Sequence, residues 1–209
     1  MKLMDSDKRK ILDFCKEYFL ANGFYKTTMD EIAIRLRMSK KTIYKYFPAK
    51  EDLVRETVNE FLNFHRDRIS EIINENSKAV TKLHKIFIYV GEIISSVNEK
   101  YINDVQTHMP DLWKDIDTFR TKMMTVNIGR IIEQGKKEGV FIDKTSAIIT
   151  SVFISSVRGI INPEFIMNNK FSIKSALDET IEIIMNGITT TKGKKAFNKL
   201  KSELLNEIN

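Results

Sequence analysis

The chain has 209 residues, of which 42% are hydrophobic and 30% charged, and its formal net charge is +6 at pH 7. This composition is typical of a folded globular protein and excludes a disordered chain, because enough apolar surface is present to build a core. No stretch approaches the roughly 18 apolar residues of a membrane span, and the N-terminus has no hydrophobic signal segment. We therefore expect a cytoplasmic protein that does not engage the membrane.

An all-α fold is predicted from the period of the apolar residues. They recur at spacings of three and four, and only 8 Gly and 3 Pro are available for turns. The best strand pattern, at residues 140–142, is too short to found a sheet. The single cysteine, Cys15, excludes an intrachain disulfide and lies on an apolar helix face, so we expect it in the core.

Positive charge is concentrated near the N-terminus. Residues 1–50 hold 12 Lys and Arg against 6 Asp and Glu, residues 51–191 hold 17 against 20, and residues 192–209 hold 5 against 2. This asymmetry indicates that the N-terminal segment faces nucleic acid and that the rest of the chain has a different function.

The first two predicted helices are short and well delimited. A first helix over residues 7–21 ends at Gly23, which can adopt the left-handed conformation of a helix C-terminus. Thr28 and Glu31 have the spacing of a capping box, which predicts the start of a second helix.

A third helix is predicted between Ser39, a good N-cap residue, and Pro48. Ile43 and Phe47 lie four apart and should face inward. The outward face then carries polar and aromatic side chains, namely Lys40, Lys41, Tyr44 and Lys45. This layout is that of a helix-turn-helix, in which a small core holds one helix by its inner face and leaves the other free for a major groove. A three-helix bundle with a solvated basic face is the alternative.

Residues 27–53, TTMDEIAIRLRMSKKTIYKYFPAKEDL, closely resemble the N-terminal DNA-binding domain of the TetR family of bacterial transcriptional regulators. The matching pieces are Thr28, the IA pair at 32–33, the pattern S-x-x-T-I-Y-x-Y-F at 39–47 and KEDL at 50–53. Phe19 and Gly23 also stand where the family places an aromatic residue and a glycine. The resemblance covers about the first 55 residues. Two departures, Arg37 and Lys41 in place of the glycines that are common in the family, add positive charge and leave the operator sequence open.

The resemblance and the outward face of the third helix together give a set of expected DNA-binding residues. Thr28, Tyr46 and Lys50 are expected to hold phosphates, partly by resemblance to family positions. The full set is Thr28, Arg37, Ser39, Lys40, Lys41, Thr42, Tyr44, Lys45, Tyr46 and Lys50.

The rest of the chain predicts a larger helical body. We expect a helix-turn-helix domain over residues 1–49, an effector-binding and dimerisation domain over 50–191, and a basic amphipathic tail helix over 192–209. The tail could pack on the body, on a partner subunit or on neither. Predicted helices cover residues 50–74, 79–97, 113–137, 143–161, 173–188 and 194–208.

The helix over residues 143–161 is apolar around most of its circumference and must be covered on nearly all sides. A second subunit is the simplest cover, and the resemblance also implies a homodimer paired through the last two large helices. Burial inside the monomer is the alternative. The expected interface residues are Val152, Ser156, Leu177, Ile181, Ile184 and Ile188.

An effector pocket in the body is implied by the resemblance, with core packing as the alternative for each residue. Its bulky candidates are Phe61, His65, Phe87, Trp113, Phe119, Met123 and Phe153. No catalytic constellation, phosphate loop or paired metal spacing is present, so we expect no enzyme, cofactor or metal site.

Three functions follow as hypotheses. The first is a homodimeric repressor that binds a palindromic operator in double-stranded DNA and is released by a small molecule. In the second, the protein is anchored on DNA but its body binds a protein partner. The third, a helical adaptor that never binds DNA, requires the charge asymmetry to be accidental.

Overall fold

The computed structural model describes residues 6–160, residue 165 and residues 172–207, and within them the chain is all-α, as predicted. Ten helices are present in this part of the chain. They are α1 (Ser6–Asn22), α2 (Met29–Leu36), α3 (Lys40–Tyr46), α4 (Lys50–Asn74), α5 (Ala79–Ser96), α6 (Glu99–His108), α7 (Pro110–Lys137), α8 (Ser146–Ile160), α9 (Ile173–Ile188) and α10 (Thr191–Glu207).

The predicted helix boundaries hold to within a few residues. The segment before Pro110 forms α6, and Pro110 itself begins α7, where a residue without an N–H costs no hydrogen bond. Ile161, the predicted end of the apolar helix, lies outside the described residues. No helix in the described ranges is long and apolar enough to cross a membrane.

The chain forms two compact units. The first comprises Met1–Asp67 and Ser96–Thr118, and the second comprises Arg68–Ser95 and Phe119–Asn209. Helices α4 and α7 each supply residues to both units. Packing therefore groups α6 and most of α4 with the first three helices, whereas the sequence analysis predicted a boundary after residue 49.

The core of the first unit is built from α1, α2, α3, α6 and the beginnings of α4 and α7. Ile43 and Phe47 are 0% and 1% exposed, so the inner face of α3 is fully buried. Cys15 is buried there as well, and burial raises the pKa of its thiol to about 12, which leaves it protonated at neutral pH. Other fully buried members of this core are Ile11, Leu12, Phe19, Ile32 and Leu53.

The second unit has its own core, to which the tail helix belongs. Phe197 of α10 is buried in it, and Lys201 forms an ion pair of 2.6 Å with Glu182 of α9. The tail therefore packs on the body, which decides between the positions that the sequence left open. The short strand pattern at 140–142 forms an isolated antiparallel bridge, in which Phe141 pairs with Thr189.

Candidate nucleic-acid interface

Helix α2 begins where the capping pattern predicts. Thr28 has an extended backbone and its hydroxyl accepts a hydrogen bond of 3.1 Å from the N–H of Glu31. Glu31 also accepts from Arg35 and from the hydroxyl of Tyr18, and the hydrogen bond from Arg35 lowers the pKa of its carboxyl. Arg35 lies 4.8 Å over the Tyr18 ring, so this cation is engaged with its own domain.

The turn between α2 and α3 contains a residue in a left-handed conformation. Arg37 has φ 54° and ψ 39°, and its N–H donates to the carbonyls of Ala33 and Ile34 to close α2. Glycine adopts this conformation without strain, whereas a side chain costs roughly 1–2 kcal/mol. Arg37 is exposed, so the strained backbone presents its cation on the surface of the turn.

Helix α3 is fixed at its start by Ser39 and along its inner face by the core. The Ser39 hydroxyl accepts a hydrogen bond of 3.0 Å from the N–H of Thr42 and lies 2.8 Å from the Thr42 hydroxyl. Ile43 and Phe47 anchor the opposite side. The seven residues of α3 are therefore held at one end and along one face, which leaves the other face open.

The outward face of α3 carries the cations that the sequence placed there. Lys41 and Tyr44 are exposed and form no hydrogen bond or ion pair with any other described residue. Lys40 makes an exposed ion pair of 2.5 Å with Asp30, a contact worth at most about 1 kcal/mol and readily exchanged for a phosphate. The Lys45 ammonium lies 3.2 Å from the Tyr46 hydroxyl, which joins two of the expected residues.

Lys50 differs from the other expected DNA-binding residues. Its ammonium donates to three backbone carbonyls, those of Phe24, Tyr25 and Thr27, at 3.4, 2.9 and 3.1 Å. In this arrangement the cation points into the loop before α2. The acid that holds the same loop, Asp104, was missed from the sequence, because it is 80 residues away along the chain and no motif marks it. Lys26, exposed just before α2, is a further cation near these residues, and no sequence motif marks it.

The expected pocket residues fall into two groups, one in each unit. In the first unit Phe61 and His65 are in edge contact at 4.2 Å between ring centroids, and Trp113 packs against the core. In the second unit Phe87 stacks on Phe153 at 5.6 Å. Met123 and Phe119 are half-buried in that unit. A surface cleft of about 270 Å³ lies elsewhere, between α9 and α10 beside Phe197.

The pKa values of two histidines are lowered by their surroundings. Burial lowers the pKa of His65, with a smaller contribution from Lys16, and burial alone lowers the pKa of His84. His84 is in edge contact with Phe197. Burial therefore favours the neutral form of both imidazoles, which suits an apolar environment.

Four of the expected interface residues are turned into the core of their own subunit. Leu177, Ile181, Ile184 and Ile188, all on α9, are 3–7% exposed. They follow an apolar stripe, and a stripe alone does not tell which neighbour covers it. Val152 is 53% exposed and Ser156 is half-buried. The large apolar side chains that α8 and α9 leave exposed are Ile148, Val152 and Ile183.

Comparisons with known proteins agree with this site. Residues 11–57 match the family described as "Bacterial regulatory proteins, tetR family". The HTH-type transcriptional repressor KstR2 of Mycolicibacterium smegmatis is 22% identical over 193 residues, covering 91% of this chain and 94% of the relative. A transcriptional regulator from Cytophaga hutchinsonii has the same fold, with a TM-score of 0.73, 21% identity and coverage of 89% and 100% of the two chains.

A second solved structure is also similar in fold. A protein from Saccharomonospora viridis, crystallised in complex with choline, has a TM-score of 0.62 and 19% identity, covering 88% of this chain and 97% of the other.

The capped helix pair and the cationic outward face of α3 define a helix-turn-helix DNA-binding domain. Its relatives are named as transcriptional regulators or repressors. This protein is likewise a transcriptional regulator and not an enzyme. Its N-terminal domain, residues 11–57, is that of the tetR family of bacterial regulatory proteins.

Proposed function

We propose that the protein is a homodimeric repressor that binds a palindromic operator in the cytoplasm and is released from it by a small molecule. The observation that carries the proposal is the outward face of α3. Lys41 and Tyr44 are exposed there without a partner among the described residues, while the inner face is fixed by Ile43 and Phe47. A rigid helix with an exposed cationic face fits a major groove.

The DNA contacts divide into two classes. Lys40, Lys41, Thr42, Tyr44 and Lys45 lie on or beside the outward face and would contact base edges and nearby phosphates. Thr28, Arg37, Ser39 and Tyr46 lie at the ends of α2 and α3 and would contact the phosphate backbone.

A second copy of the chain is proposed as the cover for the exposed apolar side chains of α8 and α9. Ile148 and Val152 are four residues apart and so share one face of α8, and Ile183 is 73% exposed on α9. Large exposed apolar side chains on two helices that pack together are candidates for an interaction surface. A two-fold dimer would place two copies of α3 on half-sites about one helical turn apart or a multiple of it.

The small-molecule site is proposed for the aromatic residues of the second unit, where Phe87 stacks on Phe153 near the half-buried Met123. The choline complex of the S. viridis protein supports this part by likeness of fold alone. A body that binds a protein partner remains the second candidate, favoured by the exposed Ile148 and Ile183 if these side chains do not form the dimer.

The test begins with a duplex selected by the wild-type protein from a random DNA pool. Fluorescence anisotropy should show tighter binding to this duplex than to a scrambled one, and light scattering should give the mass of a dimer. A screen of small molecules for release of the selected duplex then follows. By linkage, the duplex must weaken binding of any true inducer by the same factor as the inducer weakens binding of the duplex. Equal inducer affinity with and without the duplex would favour the protein-partner candidate.

A further inference from the structure

The loop of residues 23–27, which joins α1 to α2, is held from two sides by opposite charges. One carboxylate oxygen of Asp104 on α6 accepts the N–H groups of Phe24 and Tyr25, at 2.7 and 2.9 Å. The ammonium of Lys50, the first residue of α4, donates to the carbonyls of the same two residues and of Thr27. The N–H groups of Phe24 and Tyr25 are therefore hydrogen-bonded to Asp104, and their C=O groups are hydrogen-bonded to Lys50.

Breaking the hydrogen bonds of Asp104 and Lys50 to the loop would be energetically costly, because the first residue is buried and the second half-buried. Asp104 is 5% exposed, and a buried carboxylate persists only where donors compensate its lost hydration. The two N–H groups supply that compensation, and hydrogen bonds to charged groups are the stronger kind. Lys50 is half-buried, and its three carbonyl contacts take up the donors of the ammonium.

Gly23 and the stacked pair of Tyr25 and His108 also contribute to holding this loop. Gly23 has φ +75°, and a Cβ there would overlap the Asp104 carboxylate, so this glycine allows both the turn and the close approach of α6. The Tyr25 ring stacks on His108 with 3.5 Å between centroids and 5° between planes. His108 follows Asp104 by four residues, so both hold the loop from one face of α6.

The loop leads directly into the recognition elements. Thr28, the residue after the loop, is the N-cap of α2, and α2 is followed by the turn and by α3. We infer that Lys50 and Asp104 form a loop clamp, a pair of positioning residues that fixes the start of α2 and thereby the orientation of α3. Lys50 then acts on the protein backbone and not on a DNA phosphate. The inference rests on the proposed DNA-binding function of α3.

The test separates a positioning role from a phosphate contact. For Lys50→Met, affinity for the selected duplex should fall about tenfold or more, as expected for loss of hydrogen bonds to a charge. The slope of log affinity against log salt should be unchanged, and so should affinity for the scrambled duplex. The matched variant Lys41→Met removes the same charge from the open face of α3, and its salt slope should fall by about 0.9.

Asp104 is tested by two variants, since loss of a buried carboxylate could unfold the domain. Asp104→Asn keeps an acceptor and should retain most of the affinity, whereas Asp104→Ala should lose about tenfold or more. The double variant Asp104→Ala with Lys50→Met should lose little more than the weaker-binding single variant, because both residues hold the same peptide groups. Asp115→Asn, at an exposed acid of the same unit, is the control, and urea unfolding verifies that each variant is folded.

Three results would overturn the inference. They are a salt slope lowered by about 0.9 in Lys50→Met, additive losses in the double variant, or wild-type affinity in Asp104→Ala. If wild-type protein selects no duplex, the proposed function fails by itself. The loop clamp is then tested by amide hydrogen exchange, which Lys50→Met must accelerate at Phe24, Tyr25 and the first turn of α2. Unchanged exchange would overturn it.

Discussion

The outward face of α3 and the exposed sides of α8 and α9 present opposite chemistry to their surroundings. On α3 the exposed groups are Lys41, Tyr44 and their basic neighbours, while α8 and α9 expose Ile148, Val152 and Ile183. Exposed cations fit a polyanion, and exposed apolar side chains fit another apolar surface. The difference supports the proposal that the two regions have different partners, DNA for one and a second copy of the chain for the other.

The largest effect is expected from a charge on the apolar side. Val152→Glu would place two carboxylates at the proposed two-fold interface and should give a monomer in light scattering. Loss of bivalent binding should then reduce affinity for the selected duplex by roughly 10²-fold or more. Val126→Glu, at an exposed apolar residue of α7 outside the pair, is the control and should remain a dimer. If the Val152→Glu variant remains a dimer, the interface must lie on another surface of the protein.

A smaller effect is expected from the polar side. Tyr44→Ala removes a side chain that is 46% exposed and contributes to no core cluster, so the free energy of unfolding should change by less than about 0.5 kcal/mol. Affinity for the selected duplex should nevertheless fall roughly ten- to a hundredfold, as for loss of about 1–3 kcal/mol at a base contact. Gel-shift titration of the folded variant measures this. Wild-type affinity would mean that another face of α3 meets the DNA.

The amount that the sequence could predict differs between the two regions for a physical reason. The caps at Thr28 and Ser39 and the inward Ile43 are local patterns, so α2 and α3 were predicted with their faces. The apolar stripe of α9 was also found, but a periodic stripe does not distinguish the subunit's own core from a partner. Ile181 was therefore expected at the interface and lies in the core.

Long-range polar contacts were beyond prediction from one sequence. Asp104 bonds to residues 79 and 80 positions away, and Lys50 to a loop 23–26 positions away. Lys50 lies in a family-like motif, which suggested a phosphate contact. Its three carbonyl partners are visible only once the loop and α4 are folded together.

A stability effect within the DNA-binding unit is expected at the strained turn. Arg37→Gly would relieve a left-handed residue at φ 54°, at the price of a more flexible unfolded chain. The free energy of unfolding should rise by about 0.5–1 kcal/mol in urea titrations. Affinity for DNA should fall if the Arg37 cation meets a phosphate, with a salt slope lower by about 0.9. An unchanged or lower free energy of unfolding would contradict the assignment of backbone strain to Arg37.

The smallest effect concerns pH and reaches both units. The pKa of His65 and of His84 is lowered by burial in the folded protein, so the unfolded chain binds their protons first as pH falls. Their contribution to stability is complete above the unfolded value of about 6.5 and is lost as pH falls below it. Unfolding in urea between pH 8 and 5 should show this loss, and the variant with His65→Gln and His84→Gln should show less of it. Equal pH profiles would contradict the assignment.

The salt dependence of DNA binding tests the central claim, that the cationic face of α3 binds an operator as a dimer. With several Lys contacts in each subunit, about six to ten phosphates are neutralised. Affinity of the wild-type protein for the selected duplex should then fall by roughly 10³–10⁵ between 50 and 200 mM salt. Anisotropy titrations at four salt concentrations give the slope. A flat response would contradict DNA binding through this face and would favour a helical adaptor that never meets DNA.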